Sequence, residues 1–137
     1  IMNVKEGSMC LGIEDPDCYN VVDNVTQRES VKNRIENLEY SADDFTVLLS
    51  HRPELFKIYA DENVDVVLTG HAHGGQFRLP FIGGIAAPNQ GLFPKYDAGM
   101  FVEHDTHMIV SRGIGNSIIP LRFNNPPEIV VVKLTVK

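Results

Sequence analysis

The chain has 137 residues, 43% of them hydrophobic and 22% charged, with a formal net charge of −6. That is enough for one domain with its own core, and the balance excludes a disordered polymer. The negative charge, with no Lys/Arg cluster, argues against a nucleic-acid-binding surface, and no apolar run approaches the ~20 residues that span a bilayer.

Ser8-Met9-Cys10-Leu11-Gly12-Ile13 alternates like a strand, with Cys10 expected as a small buried apolar residue. Cys10 and Cys18 are too few and too irregular for a disulfide framework or a zinc knuckle, and read as free thiols. Asp15-Pro16-Asp17 marks a turn. Over residues 25–39, Val31, Ile35 and Leu38 recur at helical spacing while Glu29, Lys32, Asn33, Arg34 and Glu36 fill the polar side, so an amphipathic helix is expected on a sheet face. Residues 45–50 and 64–69 are short and nearly continuously apolar, which suits strands buried on both faces. Between them Pro53-Glu54 opens a short helix over 55–61, giving a parallel strand-helix-strand crossover. A Gly/Pro-rich loop over 80–94 is the candidate substrate lip. Three β-rich stretches, 99–104, 107–112 and 128–136, are expected to form a mainly antiparallel second sheet.

Two histidine segments stand where the buried strands end: Ser50-His51-Arg52-Pro53-Glu54 and Gly70-His71-Ala72-His73-Gly74-Gly75-Gln76. Sheets of this kind place their chemistry at strand C-terminal ends, glycines let the backbone turn sharply, and neutral imidazole is the commonest protein ligand for a divalent transition metal. The pattern reads as half of a metal site built on His51, His71 and His73. Asp15, Asp17, Asp105 and His107 do not supply the other half, because Asp105-Thr106-His107 bridges two β-rich stretches like a hairpin turn.

With these residues in view, the chain resembles the C-terminal half of the calcineurin-like metallophosphoesterases, whose ligand pattern ends in a strand-Ser-His segment followed by Gly-His-x-His. The likeness continues through Gly74-Gly75-Gln76-Phe77-Arg78-Leu79-Pro80, Gln90-Gly91-Leu92-Phe93-Pro94-Lys95-Tyr96, Ser111-Arg112-Gly113-Ile114-Gly115 and Pro126-Pro127-Glu128. That longer pattern looks like a bacterial, often membrane-tethered branch acting on phosphodiester or pyrophosphate bonds. The family's Asp-x-His, Gly-Asp and Gly-Asn-His motifs are not in this sequence.

The resemblance implies an α/β fold: half of a four-layer α/β/β/α sandwich, with parallel crossover units followed by a mainly antiparallel sheet. Residues 1–137 would be the C-terminal part of one such domain, with Ile1 well inside it. It implies a hydrolase using two divalent metal ions, Mn, Fe or Zn, and a metal-bound hydroxide, with His51 and His71 on one metal and His73 on the other. No catalytic residue is expected in this chain, since the leaving-group acid belongs to the absent half, and the chain alone is expected to be weak or inactive. Arg78, Asn89, Tyr96 and Arg112 are candidate substrate contacts, with Gln90 and Asn116 beside them, and Lys95 and Arg122 also lie near the site. Each is equally explained as a surface charge or a turn residue. The implied partners are a phosphorylated small molecule or lipid head group, with self-association or pairing with the missing half. The implied location is cytoplasmic or peripheral to the cytoplasmic membrane, with any anchor outside the chain. The competing readings are a non-catalytic binding or assembly module with a residual or structural metal, and histidines that are simply hydrogen-bonded loop residues.

Overall fold

The computed structural model describes residues 2–4, 8–19, 24–41, 43–116 and 120–136. In chain order these form β1 (Met2–Val4), β2 (Ser8–Gly12), α1 (Asn24–Glu36), β3 (Phe45–Leu49), α2 (Phe56–Asp61) and β4 (Val66–Thr69). Four two-residue strands follow, β5 (Arg78–Leu79), β6 (Gly83–Gly84), β7 (Ala86–Ala87) and β8 (Gly91–Leu92). The chain continues with β9 (Gly99–Glu103), β10 (Thr106–Val110) and β11 (Leu134–Val136). The fold is α/β, built on a mixed five-stranded sheet in the order β2-β3-β4-β10-β9. β2, β3, β4 and β10 run parallel, and β9 returns antiparallel at one edge.

The helical spacing of Val31 and Ile35 does what the sequence suggests: both are fully buried, and α1 lies on the sheet. The helix stops at Glu36, where Asn37 bonds back to the Asn33 carbonyl, and Leu38 packs from just beyond the helix end. The β3-α2-β4 crossover forms as expected, with Pro53 opening a 3-10 turn (Pro53–Leu55) ahead of α2.

Ladder partners point to the same side of a sheet, so the register sorts the strands into two faces. Leu11, Leu48, Val67 and Met108 share the face covered by Val31, Ile35, Phe56 and Tyr59. Burying each such side chain contributes about 1.5–3 kcal/mol. The other face carries Val47, Leu49, Val66, Leu68, Ile109, Met100 and Val102. Among the described residues, its cover includes Leu134 of β11, against the cluster around Phe45 and Val66. Leu49, Met100 and Val102 stay 45%, 61% and 55% exposed.

Three expectations need correction. The stretches at 99–104 and 107–112 do not make a second sheet: they are the hairpin β9-β10, turning at His104 and Asp105, and β10 pairs parallel with β4. Only Leu134–Val136 of the third stretch is a strand, and it pairs parallel with β1. The reason is the alternation of β10, whose Thr106, Met108 and Val110 are buried beneath the helices, so it completes the first sheet. Cys10 is exposed, not buried, because Met9 and Leu11 take the helix-covered side of β2 and turn Cys10 outward on an edge strand. The loop over 80–94 is not structureless: it is folded into the ribbons β5-β6 and β7-β8.

Candidate functional site

His51 follows β3 directly, and its neighbours on both sides are locked. Tyr59 Oη donates to the Arg52 carbonyl (2.8 Å), leaving Ser50 Oγ to donate to Tyr59 Oη (2.7 Å). Burial pushes the Tyr59 phenol above its ordinary range, so it stays a neutral donor. Arg52, 1% exposed, reaches Asp15 through Nε (3.0 Å) and Nη2 (2.7 Å), and Glu54 through Nη1 (3.4 Å). With Ser50 and Arg52 held inward, the side chain between them is presented at the sheet edge, and His51 is exposed.

β4 ends beside β3 and leads through Gly70 into the second segment. There the backbone takes left-handed conformations at His71 (φ 62°), His73 (φ 47°), Gly74 (φ 65°), Gly75 (φ 71°) and Gln76 (φ 52°). Such values suit glycine and are costly for other residues, and they concentrate at functional turns. Ala72 N–H to Gly70 O and Gly75 N–H to Ala72 O, both 2.7 Å, hold the turn together. Gly75 allows a close approach: a Cβ there would fall 2.4 Å from Gly84 Cα. Asn125, buried, donates to the carbonyls of His73 (2.7 Å) and Gln76 (3.2 Å).

The two segments meet at the imidazoles. His71 Nδ1 lies 2.8 Å from His51 Nε2, with the rings edge-on at 62° and their centroids 4.4 Å apart. Asn89 Nδ2 lies 3.1 Å from the other ring nitrogen, His71 Nε2. Burial, followed by the charges of His51 and Arg52, pushes the His71 pKa down to about 4, which keeps this imidazole neutral at pH 7. His73 is also lowered, by burial first and the Arg122 charge second, while a hydrogen bond with the Gly115 backbone opposes them. An open depression of about 430 Å³ lies along the strand ends, lined by residues including Leu49, Ser50, His51, Thr69 and Gly70. A larger hollow of about 640 Å³ opens where the same strands begin, away from His51, His71 and His73, beside Glu62, Asp65, His104 and Asp105.

The uncharacterized metallophosphoesterase YkuE of Bacillus subtilis is 43% identical over 90 residues, covering 66% of this chain and 31% of the relative. The chain is a relative of the metallophosphoesterases. Phosphodiesterase YaeI of Escherichia coli is 36% identical over 88 residues, covering 64% of this chain and 32% of YaeI. UDP-2,3-diacylglucosamine pyrophosphatase LpxG of Chlamydia trachomatis is 36% identical over 93 residues, covering 64% of the chain and 28% of LpxG. The chain thus spans about a third of the length of the curated relatives it matches. No family model and no solved structure matches it.

In this metallophosphoesterase relative the four other candidate residues have distinct settings. Asn89 is exposed and touches His71. Arg78 Nη1 is held by Asp97 Oδ2 (2.8 Å) and the Gly74 carbonyl (2.9 Å), which ties β5 to the histidine turn. Tyr96 is buried, its ring edge-on to Phe56 (5.7 Å) and Phe101 (5.0 Å). Arg112 Nε pairs with Glu128 Oε2 at 2.9 Å.

The donor chemistry at the strand ends fits a divalent transition metal as far as it goes, since His51 and His71 are adjacent and His71 is held neutral. Among the described residues no group of three or more His, Cys, Asp or Glu side chains converges to hold an ion. Sequence reasoning missed the Arg52–Asp15 pair and the Asn125 brace. The only local hint was an arginine between a histidine and a proline. No helix among the described residues is long and apolar enough to cross a membrane.

Proposed function

We propose that this chain is the histidine-bearing second half of a divalent-metal phosphoesterase domain that hydrolyses phosphodiester or pyrophosphate bonds. The observation that carries the reading is the contact between His51 and His71 at the C-terminal ends of neighbouring parallel strands. His51, His71 and His73 are the residues that would hold the metals, completed by carboxylates from outside this chain. Divalent ions bound there, Mn, Fe or Zn, would supply positive charge against the phosphoryl oxygens and make water more acidic. The chain's own part is to hold the imidazoles: the Ser50-Tyr59-Arg52 lock fixes the backbone around His51, and the Asn89 side chain contacts the His71 ring.

The part of the second sheet face that stays exposed among the described residues, at Leu49, Met100 and Val102, supports the rest of the reading. We take its occupant to be the other half of the domain, which would complete a four-layer α/β/β/α sandwich, and the relatives are long enough to contain such a half. Exposed apolar side chains on a sheet also favour self-association when that cover is missing. The ribbons that follow the histidine turn expose Phe81, Ile82, Leu92 and Phe93, which suits an amphiphilic substrate such as a lipid head group. The name of LpxG points to the same class of substrate.

A second reading, a non-catalytic module with a residual metal or none, draws on the absence of a third converging ligand among the described residues. Metal content by plasma mass spectrometry separates the two. The full-length wild type should carry stoichiometric metal that the His71→Ala/His73→Ala variant loses, and with Mn it should hydrolyse bis-p-nitrophenyl phosphate. Equal, near-zero metal in both proteins, with no hydrolysis, would favour the module.

A further inference from the structure

Arginine carries N–H donors on Nε, Nη1 and Nη2, and a buried donor without an acceptor is costly, so nearly all such groups are paired in folded proteins. Arg122 is half satisfied. Its Nη2 donates to the carbonyls of Arg112 (2.9 Å) and Gly115. Its Nε and Nη1 are buried and have no partner among the described residues.

The position of this guanidinium is fixed by the chain that follows it. Phe123 pairs with the histidine turn, its N–H on the Gln76 carbonyl (3.2 Å) and its carbonyl accepting from Arg78 N–H (3.0 Å), and Asn125 holds the His73 carbonyl. Arg122 is therefore carried beside His73, close enough for its charge to lower that imidazole's pKa. The other arginines of the region are committed, Arg78 to Asp97 and Arg112 to Glu128. A cation with idle, desolvated N–H groups next to His73 calls for an anion with several acceptor oxygens, and phosphate is the group that arginine donors match best.

We propose that Arg122 holds a phosphoryl oxygen of the substrate, using Nε and Nη1 while Nη2 stays anchored on the Arg112 and Gly115 carbonyls. This deepens the phosphoesterase reading and rests on it. It makes Arg122 a substrate-holding residue and leaves Arg78 and Arg112 as braces.

The test is isothermal titration of the full-length protein with inorganic phosphate, both Mn-loaded and after chelation, for wild type, Arg122→Lys and Arg122→Gln. Arg122→Gln should weaken phosphate at least tenfold in both states with metal content unchanged, and Arg122→Lys should fall between it and wild type. Wild-type phosphate affinity in both variants, or no phosphate binding by wild type, overturns the proposal. If Arg122→Gln does not fold, the lysine variant decides: unchanged affinity with a lowered thermal midpoint means that Arg122 only pins two carbonyls, and overturns it as well. The phosphoesterase reading fails separately, on the metal content of the histidine variant, which phosphate affinity after chelation does not touch.

Discussion

The two faces of the five-stranded sheet come from the same residues, taken alternately, yet only one is sealed. Leu48 and Val67 are fully buried beneath α1 and α2, while Leu49, one residue along the same strand, is 45% exposed. The helices that seal the first face lie between the strands in sequence, so each crossover brings its own cover. Among the described residues the second face has no such local supplier. A strand that reads as apolar on both sides, such as 45–50, thus asks for cover that its neighbours in sequence cannot give.

Mutations on the two sides should separate sharply. The largest loss is expected from Asp15→Ala, which takes the closer of two paired carboxylates from buried Arg52 and leaves Glu54, at about 3 kcal/mol in chemical denaturation. Leu48→Ala should follow, at about 2–5 kcal/mol, through the cavity it opens under α1 and α2. By contrast Val102→Ser, on the open side, should change stability by no more than about 0.5 kcal/mol. A loss from Val102→Ser as large as that from Leu48→Ala would falsify the contrast.

The smallest effect concerns pH. The Arg112 guanidinium, hydrogen-bonded to Glu128, holds that carboxyl below its ordinary value of 4.5. A carboxylate lowered by folding adds stability that is present above its ordinary value and is lost as pH falls through the lowered one. The thermal midpoint of wild type should therefore drop more than that of Glu128→Gln on acidification below about pH 4.5. Parallel curves would show that the pair, whose side chains are 24% and 28% exposed, contributes nothing measurable.

Much of the parallel part was legible because its signals are local. The helical spacing of Val31 and Ile35, the proline at position 53 and the apolar runs before each histidine predict α1, α2, β3 and β4 to within a few residues. The register was not legible. Cys10 sits in an alternating stretch, but which half of the alternation faces the helices depends on how β2 pairs with β3. The placement of 107–112 failed for a related reason: hairpin alternation does not reveal whether the hairpin starts a new sheet or extends an old one, and only pairing with β4 decided it.

The candidate site divides along the same line. The sequence by itself determined the residue types, since histidines that follow buried strands, with glycines allowing the left-handed turn, can be read from adjacent letters. Which imidazoles touch, which arginines are already paired and which one keeps idle donors were decided only by the tertiary structure. Arg52 and Asp15 are 37 positions apart, and Asn125 reaches His73 across 52, so the distances between these groups exist only after the sheet has formed. Hydrogen bonds and charge pairing act over a few ångströms of space, whatever the separation along the chain.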